Sequence, residues 1–235
     1  MSLESPYFYL TLMILTLLGP LTRSFETKVA YYKSFKSLFT SIGITMLVFI
    51  PWDVAFTEMG IWGFNPKYLT GFYIFGLPIE EWMFFVFVPF SCVFIYRVMD
   101  YFFPRAWITQ GQAQMLTQYF AWLSIAIAIL SWGAWYTVST FSLLGLLMLG
   151  HVHLWKVEWL PSFYRAFVIV LIPFGIVNGF LTGMGLEEEV VWYNDAHNLG
   201  YRLGTIPADD VFYAMALLMM NTSLYEYFRK RWETR

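Results

Sequence analysis

Charge is scarce in this sequence of 235 residues. Only 13% of the residues are charged and 59% are hydrophobic, whereas an ordinary soluble domain carries about a quarter charged residues. The composition therefore favours a protein whose solvent is lipid. The formal net charge of −2 provides no basic surface for a nucleic acid, and no nucleic-acid partner is expected.

Cysteine is almost missing as well. The single Cys92 excludes an internal disulfide framework and a CxxC metal site. No GxGxxG motif follows a strand-like segment, which argues against a Rossmann-type flavin or nicotinamide site. Residues 207–228 contain no lysine, so the Schiff base of a retinal photoreceptor has no candidate there. We expect neither a cofactor nor a metal.

Long apolar runs dominate the chain. A membrane-spanning helix needs about 20 mostly apolar residues, and seven stretches approach this length. They cover residues 6–22, 36–56, 78–98, 114–133, 136–154, 162–182 and 207–228. Each is predicted to be a helix, because backbone groups in lipid must be satisfied within the segment. The first has no basic residues before it and no small-residue cleavage site, so we interpret it as a retained span and not as a signal peptide.

The basic residues divide unevenly between the two predicted sides of the membrane. Loops 57–77 and 183–206 lie on one side and contain two of them, Lys67 and Arg202. The other twelve share the opposite side: Arg23, Lys28, Lys33, Lys36, Arg97, Arg105, Lys156, Arg165, Arg229, Lys230, Arg231 and Arg235. Basic residues stay cytoplasmic. We therefore expect a multi-pass protein of a bacterial cytoplasmic membrane, with its N-terminus outside and its C-terminus inside.

A pair of adjacent acids occurs twice. LPIEEW (77–82) contains Glu80 and Glu81, and IPADDV (206–211) contains Asp209 and Asp210 at an offset of 129 positions. In both motifs the acids stand just after a proline, at the start of an apolar run. The recurrence indicates an internal repeat.

The sequence before each acid pair repeats at the same offset. FNPKYLTG (64–71) aligns with YNDAHNLG (193–200), which matches Asn65 with Asn194. Further upstream the alignment slips by four residues, and Asp53 falls opposite Asn178. The chain is therefore predicted to contain two copies of one unit of three helices.

The fourth helix explains how two such copies share one orientation. Three helices repeated directly would point in opposite directions, and one additional span restores parallel repeats, which are known in membrane proteins. We predict an all-α integral membrane protein of seven transmembrane helices. Its first repeat is 1–105 (helices 1–3), its linker helix 106–135, and its second repeat 136–235 (helices 5–7). Both acid pairs would then lie at one depth, around one cavity.

Two interpretations of the acids remain open. Acids in the first turn favour the positive end of the helix dipole, and they would then only begin a helix near the headgroups. Alternatively, ionisable groups within a membrane domain face a cavity and act chemically, as a general acid does when it keeps its proton near neutral pH. Helical spacing of about 100° per residue favours Glu81 and Asp210 facing the bundle, supported by Glu80 and Asp209.

Several of these segments together resemble the membrane-integral lycopene cyclase family, in its fused form. They are PWD (51–53), WGFNPKYLTG (62–71), LPIEEWMFFVFVPF (77–90) and YNDAHNLGYRLGTIPADD (193–210), and the resemblance covers both halves. It implies a lycopene β-cyclase, a non-redox isomerase that converts the acyclic ends of lycopene to β-ionone rings, through γ-carotene to β-carotene. The catalytic carboxyls would be Glu80, Glu81, Asp209 and Asp210. Lycopene and membrane lipid would be the partners.

Such a reaction needs groups that orient a proton and aromatic faces that stabilise a cation. The candidates for the first role are Asp53, Asn65, Asn178, Asn194, His197 and Arg202. The candidates for the second are Trp62, Phe64, Trp82, Phe85, Trp192, Tyr193 and Tyr213. Each also has a structural interpretation: an asparagine caps a helix end, Arg202 pairs with an acid of its own loop, and most of the aromatic residues face lipid or its interface.

Other functions fit parts of this pattern. Within the family, a cyclase of C50 carotenoids or one forming ε- or γ-rings would carry the same motifs. Outside it, a proton-coupled transporter also combines repeats with buried acids, although these helices have few glycine or proline breaks near their midpoints. The motifs do not specify the oligomeric state or whether one or both ends of the substrate are cyclised.

Overall fold

The computed structural model describes residues 4–232. Over that range each predicted stretch overlaps one of seven helices. These are α1 (Phe8–Arg23), α2 (Phe35–Glu58), α3 (Ile79–Phe102), α4 (Gln110–Leu130), α5 (Trp135–Leu149), α6 (Leu160–Leu181) and α7 (Ala208–Trp232).

Five helical segments of the described range are long and apolar enough to cross a membrane. They are α2 with the turn before it (Tyr31–Glu58), α3, α4, α5 with the π-helical turn after it (Trp135–Leu154), and α6. Helix α1 is apolar but only 16 residues long, and α7 carries acids in its first turn and basic residues in its last. The chain thus has the helices of a membrane protein, while the count of seven spans stays a prediction.

The two sets of three helices pack in the same way and exchange partners. Helix α1 packs on α3, and its counterpart α5 packs on α7. The second helix of each set packs on the third helix of the other, α2 on α7 and α6 on α3. Helix α4 lies against α5. The third helices, which begin with the paired acids, are therefore central to both halves.

Short strands, which the all-helical prediction omitted, connect these helices on the acid side. They are β1 (Trp62–Phe64), β2 (Tyr73–Ile74), β3 (Leu77–Pro78), β4 (Val191–Tyr193), β5 (Arg202–Leu203) and β6 (Ile206–Pro207). The pairs β2–β3 and β5–β6 are hairpins that lead directly into α3 and α7. Strands of two or three residues are too short to show the alternation by which a strand is recognised.

Strands β1 and β4 join the two halves as an antiparallel ribbon, with Trp62 opposite Tyr193 and Gly63 opposite Trp192. The indole of Trp192 lies directly over Gly63, where an added Cβ would stand 2.4 Å from its Cζ2 atom. Only glycine permits this approach, because any other side chain would overlap the ring.

The loops after the ribbon strands repeat in detail. The side chains of Asn65 and Asn194 accept hydrogen bonds from backbone N–H groups two residues later, at 3.0 and 3.1 Å. Each caps a single 3₁₀ turn. Gly71 and Gly200 then adopt φ values of 83° and 67°, a conformation that favours glycine. The repeat seen in the sequence therefore extends to backbone geometry.

Candidate active site

An elongated cavity of about 500 Å³ lies between the helices. The β1–β4 ribbon covers one end, where Asp53, Glu81 and Asp210 line the wall. Beyond them the wall is mainly apolar and follows α3 as far as Ile95, which is about 21 Å of helix from Glu81 at a rise of 1.5 Å per residue. The cavity therefore suits a long apolar molecule that reacts at one end.

The cavity opens sideways between α1 and α6. Leu15 of α1 and Ile176 of α6 line it, yet their relative exposures are 61% and 52%. Near the ribbon the two helices are joined by the rings of Phe8 and Phe180, whose centroids are 6.2 Å apart. The opening thus lies on the apolar lateral surface.

Asp210 is held by three hydrogen-bond donors. The Tyr136 hydroxyl donates to Oδ1 at 2.6 Å, and the Asn178 amide and the Tyr193 hydroxyl donate to Oδ2 at 2.7 and 3.1 Å. These donors come from α5, α6 and β4. Both oxygens of this carboxyl are therefore engaged.

Glu81 has a sparser environment. The Tyr9 hydroxyl donates to its Oε2 at 2.6 Å, and no other hydrogen bond reaches the side chain from residues 4–232. Asp53 lines the same end of the cavity. Asp53 accepts a hydrogen bond from Trp62 Nε1 at 2.6 Å on Oδ1, while its buried Oδ2 has no partner in the described chain.

Glu80 and Asp209 point away from the cavity. Both are fully buried and hold the loops that precede their helices. Glu80 Oε1 accepts from the backbone N–H and the hydroxyl of Thr70, at 2.8 and 2.7 Å. Asp209 accepts from the Thr137 hydroxyl on Oδ1 at 2.6 Å and from the Leu199 N–H on Oδ2 at 3.0 Å. Of the four acids expected around one cavity, the structure therefore brings Glu81 and Asp210 to its wall.

These contacts predict unequal effects of two amide substitutions. In Asp209→Asn, the new NH₂ group would face one of the two donors, so we expect a loss of about 1–3 kcal/mol in the free energy of unfolding. Glu80→Gln serves as the matched control, because its carbonyl oxygen can still accept both bonds from Thr70. Thermal midpoints in detergent measure the difference, and both variants should keep more activity than Glu81→Gln. A larger loss of stability in Glu80→Gln would contradict these loop-anchoring roles.

Among the predicted supporting residues, Asp53 and Asn178 line the cavity. Asn65 and Asn194 cap turns in exposed loops, and His197 and Arg202 belong to the second of these loops and do not line the cavity. Arg202 pairs with Asp195 at 2.8 Å. Hydrogen bonds from Asn198 and then from Arg202 hold the pKa of Asp195 below its usual value, so this pair stabilises the loop.

The predicted aromatic residues divide in a similar way. Trp62, Phe64, Tyr193 and Tyr213 line the cavity. Trp82 donates to the Ile74 carbonyl at 3.2 Å, Phe85 packs in the core, and Trp192 covers Gly63.

Two tyrosines that the sequence did not single out also belong to the site. Tyr9 and Tyr136 stand near the starts of α1 and α5, and each donates a 2.6 Å hydrogen bond to the second acid of its own half, Glu81 or Asp210. Their offset is 127 positions, so an alignment at 129 does not pair them.

The comparison with known families follows the same division of the chain. The model of the lycopene cyclase family matches residues 6–99 and 133–228. These two segments correspond to the first three and the last three helices and leave out α4. No curated protein and no solved structure matches the chain. Because the matched segments make up well over half of its length, the chain belongs to the lycopene cyclase family.

Proposed function

We propose that this protein is a lycopene β-cyclase, which closes the acyclic ends of lycopene into β-ionone rings without a redox cofactor. The observation that carries the proposal is the meeting of Glu81 and Asp210 at one end of an elongated apolar cavity. Lycopene is long and apolar. When one of its ends is cyclised, acidic groups are needed only around that end, where the ring forms. Membership of the lycopene cyclase family supports a carotenoid as the substrate.

The chemistry requires one carboxyl group to give a proton and one carboxylate to take a proton. A proton adds to the terminal double bond of the substrate and leaves a tertiary carbocation. The electron pair of a neighbouring double bond attacks this cation and forms the ring bond. Loss of a ring proton then forms the ring double bond, and the net change is an isomerisation.

Aromatic rings around the acid end supply stabilisation for such a cation. The Trp62 ring lies 5.0 Å from that of Tyr136 and 6.2 Å from that of Tyr213, and Tyr136 is stacked on Tyr193 at 6.0 Å. All four line the cavity. Each ring that faces a cation contributes on the order of 0.5–2 kcal/mol, without a nucleophile that would trap it irreversibly.

We further propose that all seven helices cross the membrane, with the N-terminus outside. In parallel repeats, corresponding helices cross the membrane in the same direction, so α1 crosses as α5 does and α7 crosses as α3 does. Lycopene then reaches the acids from the lipid, through the opening between α1 and α6. The acid end of the cavity, with its covering ribbon, lies towards the outer half of the bilayer.

The direct test is turnover by purified protein in lipid vesicles that contain lycopene, without added flavin or nicotinamide. We expect cyclised products, identified by chromatography and absorption, and in deuterated water we expect deuterium at the carbon that is protonated first. A vesicle preparation that contains no protein controls for spontaneous change. Strict dependence on reduced flavin, or products without deuterium, would overturn the proposed chemistry.

A further inference from the structure

The two repeats carry the same site framework but surround their acids differently. In each, a tyrosine of the first helix donates to the second acid of the third helix. The second helix contributes Asp53 to one half and Asn178 to the other. We infer that this difference assigns the two acids to different steps: Glu81, which shares the cavity wall with Asp53, donates the proton that starts cyclisation, and Asp210 removes the ring proton and so determines the ring type. The inference rests on the proposed function.

Asp210 is built to hold a negative charge. Three donors converge on its two oxygens, and hydrogen bonds to an ionised acceptor are about twice as strong as neutral ones. An asparagine amide donates a hydrogen bond but carries neither a charge nor an acidic proton. The side chain of Asn178 therefore favours the carboxylate form of Asp210, which is the form that can accept a proton.

Glu81 is built to hold a proton. It receives one hydrogen bond, from Tyr9, and Asp53 and Asp210 line the same cavity. Carboxyl groups that share an apolar cavity do not all ionise readily, and Asp210 is the one whose carboxylate form three donors stabilise. The Trp62 N–H can only donate, so it fixes Asp53 Oδ1 as an acceptor and leaves the unpartnered Oδ2. Glu81 and Asp53 together therefore retain a proton, and Glu81 Oε1 is free of other partners to deliver it.

The proposed steps balance without a further reactant. The O–H bond of Glu81 breaks as a C–H bond forms at the terminal double bond. After ring closure, Asp210 takes a ring proton, and the electrons of that C–H bond become the ring double bond. Glu81 is then ionised and Asp210 protonated. Asp210 loses its proton to water and Glu81 takes one from water, which restores the starting state and allows the donated proton to carry a solvent label.

The position of the base determines which ring forms. Removal of the proton at the ring carbon that carries the chain gives a β-ring, removal from the ring CH₂ gives an ε-ring, and removal from the methyl group gives a γ-ring. Asp210 is fixed by donors from α5, α6 and β4, so its reach is restricted to one of these positions. It thereby acts as a specificity-determining residue as well as a base.

The test compares Glu81→Gln with Asp210→Asn in lycopene vesicles prepared in deuterated water. Glu81→Gln should leave lycopene unchanged and unlabelled, with a rate loss of at least about 100-fold, as expected for a lost general acid. Asp210→Asn should still protonate the substrate, giving slower turnover to labelled products that include ε- or γ-rings. Thermal midpoints in detergent confirm that both variants are folded.

A second comparison exchanges the residues that distinguish the halves. Asp53→Asn should slow the reaction at least about tenfold, enlarge the solvent deuterium isotope effect because protonation becomes limiting, and leave the ring type unchanged. Asn178→Asp should instead alter the ring type, because it removes a donor from Asp210. A general loss of structure would change neither the isotope effect nor the ring type in this pattern.

Specific outcomes overturn the division of roles. They are altered rings from Glu81→Gln, only unchanged lycopene from folded Asp210→Asn, or only β-rings from Asp210→Asn. Failure of the proposed function is a separate result, because there the unmodified protein would form no cyclised carotenoid at all.

Discussion

Combining Glu81→Gln with Asp210→Asn should cost no more activity than Glu81→Gln alone. Both side chains line one cavity and are proposed to act in sequence on one substrate end. A general acid contributes typically about 10²- to 10⁴-fold to a rate. Once the first step is lost, removal of the base has nothing further to slow, and residues that act as a unit show such strong non-additivity. Glutamine keeps the shape of the side chain and the bond from Tyr9 but has no acid proton.

The measurement is the rate of lycopene loss for the unmodified protein, the two single variants and the double variant, in vesicles of one composition. The amount of each protein in the membrane and its thermal midpoint provide the control for folding. If each single variant kept about half of the activity and the double variant lost all of it, the two acids would serve independent sites.

Filling the opening between α1 and α6 should block the substrate. Replacing Leu15 and Ile176 together with tryptophan would place two indoles in the mouth of the cavity. We expect turnover to fall at least tenfold, which is about 1.4 kcal/mol in the activation barrier. Folding should be unaffected, because both side chains are exposed on the apolar surface.

Matched controls lie on the same two helices. Leu18 and Ile172 are also exposed, at 53% and 68%, but they do not line the cavity, and Leu18→Trp with Ile172→Trp should leave turnover within about twofold. An equal loss in both pairs would indicate a general effect of tryptophan at the lipid surface. Full activity in Leu15→Trp with Ile176→Trp would mean that the substrate takes another route.

The sequence predicted those features of the site that depend on a pattern within one stretch of chain. The 100° spacing of a helix assigned Glu81 and Asp210 to the bundle side, and the structure has both on the cavity wall. The 129-residue offset identified repeated loops around Asn65 and Asn194, which share their capping geometry. The first depends on neighbours along one helix and the second on a comparison of two stretches of sequence, and neither requires knowledge of contacts between distant elements.

Contacts between elements that are distant in sequence could not be predicted from the sequence. Nothing in the spacing of α1 indicates that the Tyr9 hydroxyl reaches Glu81, 72 residues away. The same is true of Tyr136 and Asp210, because helix packing sets both distances. Glu80 accepts a hydrogen bond from the Thr70 N–H because the loop between them turns back on itself, and the composition of the loop does not determine that turn.

Hydropathy alone does not determine the number of membrane crossings. Helix α1 has 16 residues and α7 is charged near both ends, so neither matches an isolated apolar span. Buried polar groups of α7 meet partners on other helices: Asn221 donates to the Thr45 hydroxyl and Glu226 accepts from the Tyr96 hydroxyl. A helix shielded by its neighbours need not be uniformly apolar, and only the repeat indicates that it crosses.

The pairing between β1 and β4 also has a consequence for synthesis of the chain, because the two strands are made at different times. Gly63 leaves the ribosome 129 residues before its partner Trp192, an interval of roughly 6–26 seconds at 5–20 residues per second. At the end of that interval Asp53 and Glu81 have been made, but Tyr193 and Asp210 have not. A nascent chain that stops after α4 therefore contains two of the three carboxyl groups that line the cavity, and it has no covering ribbon. The two halves of the cavity wall therefore come together only when translation is nearly complete.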